Sequence, residues 1–251
     1  MLIPVILLVA QIGAQMIPGS NSYISSTDNL DPLVPNRCVN RNLLYSCYVS
    51  YLQKYGYSPD GGYLPSFMVL SEQMRSMNLQ NICRDFDDLT NCLGTSIDEC
   101  VNFNTFVIFT NRIRPEMEAT LYLENHAFFE FACGKGKQLF FENLDCLQRS
   151  FAVVPLSNRM LQCGQGKINY NDASACPQTI ETVSCVRRQL FDACGESAGV
   201  AACGAASNME RRLQFLNAAC LTELDMRCSS FSKLVYVPFL LLIVFYFFSY
   251  Q

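Results

Sequence analysis

The chain has 251 residues, half of them apolar and 16% charged, with a formal net charge of −4. That length holds one medium domain or two small ones, and the charge balance excludes nucleic-acid binding through a large basic surface. A single histidine, His126, leaves little acid–base or metal chemistry at neutral pH, so no catalytic group, metal site or cofactor is expected.

The chain opens MLIPVILLVAQIGAQ, which reads as a secretory signal peptide. An apolar core over residues 2–10 and the small residues Gly13 and Ala14 place the expected cleavage after Ala14. The run is too short for a membrane span. Residues 15–37 are rich in Ser, Asn, Asp and Pro and hold no cysteine, the composition of a flexible leader. The stretch GYSPDGGYLP at 56–65 is turn chemistry between two helical segments. Beyond it Phe67, Leu70, Met74 and Met77 keep helical spacing, continued by Ile82, Phe86, Leu89 and Leu93. Ser96 and Glu99 have capping-box spacing, which predicts a new helix from about Ile97. Residues 117–147 are long enough for two helices broken at 134–136, with Phe140, Leu144 and Leu147 on one face of the second together with Cys133. Val183, Val186, Leu190 and Cys194 share another face, and Leu213, Leu216 and Cys220 fall on a predicted helix over 210–221. Strand-like alternation is scarce, so the expected fold is all-α.

Fourteen cysteines lie at Cys38, Cys47, Cys83, Cys92, Cys100, Cys133, Cys146, Cys163, Cys176, Cys185, Cys194, Cys203, Cys220 and Cys228. None falls in the signal or the tail. An even number in a secreted chain predicts a disulfide framework over 38–228. Zinc is the rival, but there is no Cys-x-x-Cys pair and one histidine cannot complete several sites. Intervals of nine recur at 38–47, 83–92, 176–185, 185–194 and 194–203. On one unbroken helix nine residues place two side chains on opposite sides, too far apart to bond each other. Each such helix is therefore stapled to two different neighbours, which predicts a disulfide-stapled helical bundle with all cysteines paired.

The order CVNRNLLYSC, NICRDFDDLTNCLGTSIDEC, FACGKGKQLFFENLDCL and CPQTIETVSCVRRQLFDACGESA resembles nematode secreted cysteine-rich domains over residues 38–200. These include the family catalogued as a domain of unknown function, number nineteen, and the related chondroitin proteoglycan core domain. Cys194, Gly195 and Glu196 match the family's closing Cys-Gly-acidic element. The resemblance implies a secreted or surface-attached helical protein without known catalysis, and it carries over no binding site. The chain has no Ser-Gly dipeptide for chondroitin and no Asn-x-Ser/Thr sequon. A looser resemblance is to the lipid-anchored, helical cysteine-rich domains of glial-factor co-receptors, whose adjacent cysteines are absent here.

Several motifs have plainer readings. GKGK at 134–137 lacks the strand and Ser/Thr of a phosphate-binding loop and reads as a cationic turn between helices. Arg187–Arg188 and Arg211–Arg212 read as solvated helix faces, with a basic face for acidic partners as the alternative. Phe128, Phe129, Phe131, Phe140 and Phe141 read as core, with a ligand groove as the alternative. Asp87 and Asp88 are adjacent and diverge by about 100° on a helix, which poorly suits a two-carboxylate site.

Residues 234–250 form an apolar run of about 25 Å as a helix, short for a hydrocarbon core of about 30 Å. Pro238 interrupts it, and nothing basic follows. The reading is a lipid-anchor signal over 229–251 that is removed, with a short retained span as the alternative. Ser229 and Ser230 are the favoured attachment residues. Asn217 is a further candidate, and cysteine parity does not separate them. The expected function is that of a non-catalytic extracellular binding or structural protein, held at the outer face of the plasma membrane. Its partner is an extracellular protein or matrix ligand, contacted through the loop-and-helix region away from the attachment point, leader included. The alternatives are a receptor-like module for a protein ligand and a secreted enzyme with an unrecognised site.

Overall fold

The computed structural model describes residues 38–229 apart from 59–60, 68, 71–77, 111–113, 153, 164–167, 169 and 171. The signal, the leader, Met74, Met77, Ser230 and the apolar tail lie outside the described residues. Among those described there are ten helices and a short 3-10 turn, and no strand beyond a single bridge residue, Tyr63. The protein is all-α.

Three early helices open on asparagine, whose short side chain accepts an N–H that the first turn leaves unpaired. Asn40 caps α1 (Arg41–Gln53) through Leu43 N–H at 3.1 Å, and Asn78 caps α2 (Leu79–Leu93) through Asn81 N–H at 2.8 Å. Asn102 caps α4 (Phe103–Phe109) through Thr105 N–H at 2.9 Å. Between them α3 (Ile97–Cys100) begins where the sequence predicts, but Ser96 does not cap it. The 3-10 turn Gly94–Ser96 runs on from α2 and gives Ser96 helical dihedrals, so its hydroxyl cannot reach the next turn's donors.

Helix α5 (Pro115–Cys133) starts with proline, which suits the first helical position because its missing N–H would be unpaired anyway. It stops ahead of Gly134, and α6 (Lys137–Ala152) starts after Gly136, as the predicted break at 134–136 requires. There follow α7 (Val154–Cys163), α8 (Ala175–Cys194), α9 (Glu196–Leu213) and α10 (Ala218–Ser229). Gly195, with φ +89°, ends α8 in a conformation that side chains resist. The helix expected over 210–221 is two helices. Gln214 turns left-handed at φ 59°, and the Asn217 side chain then accepts Cys220 N–H at 2.9 Å to open α10.

Helix α5 is buried on nearly every side because α2, α4, α6 and α9 all pack on it. Phe128, Phe129 and Phe140 are fully buried at its heart, and Phe131 is nearly so. Helix α9 packs on α5, α6, α8 and α10. Its run of small residues from Ala198 to Ala206 lets those neighbours approach closely. A Cβ on Gly204 would run into the Phe131 ring, and one on Gly199 would press on the Arg187 carbonyl.

All fourteen cysteines are paired. The bridges are Cys38–Cys100, Cys47–Cys92, Cys83–Cys133, Cys146–Cys194, Cys163–Cys185, Cys176–Cys220 and Cys203–Cys228. On α8 the nine-residue spacing sends Cys176 to α10, Cys185 to α7 and Cys194 to α6. On α2 it sends Cys83 to α5 and Cys92 to α1. Three bridges lie within 38–133 and four within 146–228. None joins one half to the other.

Candidate functional site

His126 stands mid-way along α5 and faces inward at 2% exposure. Its Nδ1 lies 2.8 Å from the Tyr48 hydroxyl, its ring packs on Phe86 at 4.9 Å, and Nε2 has no partner among the described residues. Burial pushes its pKa down to about 3, so the imidazole is neutral at pH 7. In this conformation it cannot meet a substrate that arrives from solvent. With every cysteine in a disulfide, no thiolate is on offer either. Among the described residues no three His, Cys, Asp or Glu side chains gather as a metal site.

The arginine doublets form no single basic face, and within each doublet one arginine is exposed and the other is drawn inward. Arg187 is 8% exposed and gives its guanidinium to the Arg227 carbonyl of α10. Arg211 pairs with Asp225, and half-buried Arg212 pairs with Glu130 and, at 3.4 Å, with Asp98. Arg188 faces water at the surface of α8, and Arg211 is exposed as well despite its pair, as a solvated face requires. Helix-to-helix contacts recruit Arg187, Arg211 and Arg212 because each sits where a second helix crosses.

The described surface does hold a groove of about 620 Å³ between α2 and the start of α6. Arg84, Lys135 and Lys137 line it against one carboxylate, Asp87, with the Phe141 ring at its side. Its walls are fixed. The Cys83–Cys133 bridge ties α2 to the end of α5, and Gly136 N–H returns to the Phe131 carbonyl at 2.8 Å. Gly136 is needed here because a Cβ would meet the Phe131 ring, over which Lys135 Nζ sits at 5.4 Å from the centroid. The GKGK stretch is thus the cationic turn expected. Asp87 and Asp88 part company as expected, Asp87 bordering the groove and Asp88 taking the Lys54 ammonium. Of the five clustered phenylalanines only Phe141 lines this groove. Such a groove can hold an acidic group by charge, each exposed contact contributing up to about 1 kcal/mol.

Ser229 ends α10, exposed, its hydroxyl donating to the Met226 carbonyl at 3.1 Å. Asn217 lies in the α9–α10 turn. Cutting the chain there would remove Cys220 and Cys228, whose partners are Cys176 and Cys203 rather than each other. Parity leaves the two positions equal, but the pairing separates them.

Sequence reasoning passed over two acids, Glu124 on α5 and Glu210 on α9. Both are buried, at 2% and 6% exposure, and Glu210 accepts only the Tyr170 hydroxyl, at 3.3 and 3.4 Å to its two oxygens. One signal was available: Glu124 falls within ATLYLENHAFFEF, where apolar residues occupy every face of the helix. Comparison with protein-family models, with curated proteins and with solved structures finds no match to this chain.

Proposed function

We propose that the chain is a secreted, non-catalytic module held at the outer face of the plasma membrane by a lipid on Ser229 or Ser230, where it acts by contact. The observation that carries this reading is the way α10, the last described helix, is tied into the framework. Helix α10 (Ala218–Ser229) is tied back to α8 and α9 through Cys220 and Cys228. A lipid on Ser229 or Ser230 leaves the framework whole, whereas one at Asn217 would orphan Cys176 and Cys203. A density of seven bridges is what oxidising compartments produce. The neutral, sealed histidine and the consumed thiols support a role without chemistry. Kinship with the nematode cysteine-rich domains belongs to the same proposal and rests on the cysteine order. No described helix is long and apolar enough to cross a membrane, and the apolar tail lies outside the described residues.

The contact surface in this reading is the groove of Arg84, Lys135 and Lys137, which suits an acidic ligand. Phosphatidylinositol-specific phospholipase C releases the protein from cells if the reading is right. Retention, with Gln251 detected in the mature chain, supports a span instead. The double change Lys135→Glu and Lys137→Glu should abolish binding of the released ectodomain to cell surfaces while its melting temperature holds. Undiminished binding would remove the groove from the proposal.

A further inference from the structure

The two disulfide-stapled halves meet without a covalent bond between them. Their largest shared interface is α5 on α9. Asn208 donates there to the Ala127 carbonyl at 2.8 Å, Arg212 pairs with Glu130, and Phe131 rests on Gly204. Glu124 and Glu210 are buried at the same interface. Among the described residues Glu124 Oε2 has no hydrogen-bond partner.

No described cation faces the two acids. On α5 and α9 the charged neighbours answer one another: Arg212 with Glu130, and Arg211 with Asp225 of α10. Also on α5, Glu118 is taken by Ser66 and Phe67 N–H. On α2, Asp85 and Asp88 hold Lys54, and Arg84 pairs with Asp85 at 3.9 Å and borders the groove. Arg187 of α8 is on the Arg227 carbonyl, while Glu181, Arg188 and Asp192 are exposed. Helix α4 carries no charged residue, and those of α6, Lys137, Glu142, Asp145 and Arg149, are all exposed. His126 faces Tyr48 and Phe86. What remains against the acids is each other and Tyr170.

We infer that Glu124 and Glu210 form a pH-operated latch between the two stapled halves, closed while both carboxyls keep their protons and loosened when they ionise. A carboxylate without a partner in a dry interface is costly, and two of them repel. Burial, helped by Glu210, pushes the Glu124 carboxyl well above the usual range. Burial likewise pushes Glu210 up to about 7. Both folded values are raised above the unfolded one of about 4.5, so the stability they allow is fully present below that pH. It is lost for Glu210 as pH rises from about 4.5 to 7, and for Glu124 as pH rises through its own raised value. The interface is therefore tightest in acid and weakens through neutrality.

The test compares the full, disulfide-intact protein with Glu210→Gln and Glu124→Gln, which mimic the protonated acid in shape. Denaturant unfolding is measured at pH 5 and pH 8, with amide exchange corrected for intrinsic rates. The unfolding constant of the wild type relative to Glu210→Gln should rise about a hundredfold between the two pH values. Protection should fall first in α5 and α9 of the wild type and persist in α1 and α2. In the variants α5 and α9 should stay protected at pH 8. A ratio that does not move with pH, or equal loss of protection in wild type and Glu210→Gln, would overturn the latch. So would recovery of protection at pH 8 on adding millimolar calcium, which would make the pair a cation site. If Glu124→Gln does not fold, the Glu210→Gln ratio and the wild-type exchange profile decide the question alone.

Discussion

The two halves solve the same packing problem with different side chains. Residues 38–133 fill the space between short helices with rings. Tyr48 meets Phe106 edge-on at 5.1 Å, Phe106 stacks on Tyr122 at 5.9 Å, and Tyr122 meets Phe67 at 5.6 Å. Residues 137–229 use longer helices and, apart from Phe140, aliphatic rather than aromatic bulk, and over Ala201–Ala206 α9 presents small residues to its neighbours. Rings suit helices that cross at many angles, since an aromatic plane fills an irregular gap. Small residues suit long helices lying close together, since contact then runs along the whole length. The first half should thus suffer most from losing volume, and the second from gaining it. Their buried titratable groups differ in the same way: a base held neutral at pH 7 within the first half, and acids whose pKa values burial raises where the halves meet.

Ways to break this contrast can be ranked by size. Phe106→Ala removes a 0% exposed ring from the ring-packed half and should cost about 3–5 kcal/mol in denaturant unfolding. Acid should strike the same half next. The folded pKa of His126, near 3, lies below the unfolded value of about 6.5, so its contribution is present above 6.5 and lost as pH falls toward 3. At pH 4 the loss should be about 3 kcal/mol, and His126→Phe should flatten that limb of the pH–stability curve.

Replacing both Cys203 and Cys228 by alanine opens a loop of sequence separation 25 in the second half and should cost about 2–4 kcal/mol, read as a lower melting temperature. Gly204→Val sharpens the comparison, since the added atoms must displace Phe131. We expect about 1–3 kcal/mol of destabilisation, while enlarging a side chain at exposed Ser50 on α1 should change little. The smallest effect is a lost cap. Asn102→Ala should cost about 1 kcal/mol and fray the start of α4, visible as faster amide exchange at Thr105.

What the sequence determined by itself is local. The helical period makes cysteines nine apart face opposite ways, which is enough to predict that one helix bonds several neighbours. Gly134 and Gly136 announce the turn between α5 and α6, and Gly195 sits at the stop of α8. Tertiary structure decided the rest, because it depends on which faces meet across long stretches of chain. It chose Cys176 and Cys203 as partners of Cys220 and Cys228, turned Arg187 and Arg212 from surface cations into interhelical ties, and left Ser96 without a cap. It also closed α5 against α9 over Glu124 and Glu210. No period marks such a pair: Glu210 is ordinary in its own helix, Glu124 is marked only by the apolar residues on every face around it, and burial by a distant helix is what raises the pKa of each.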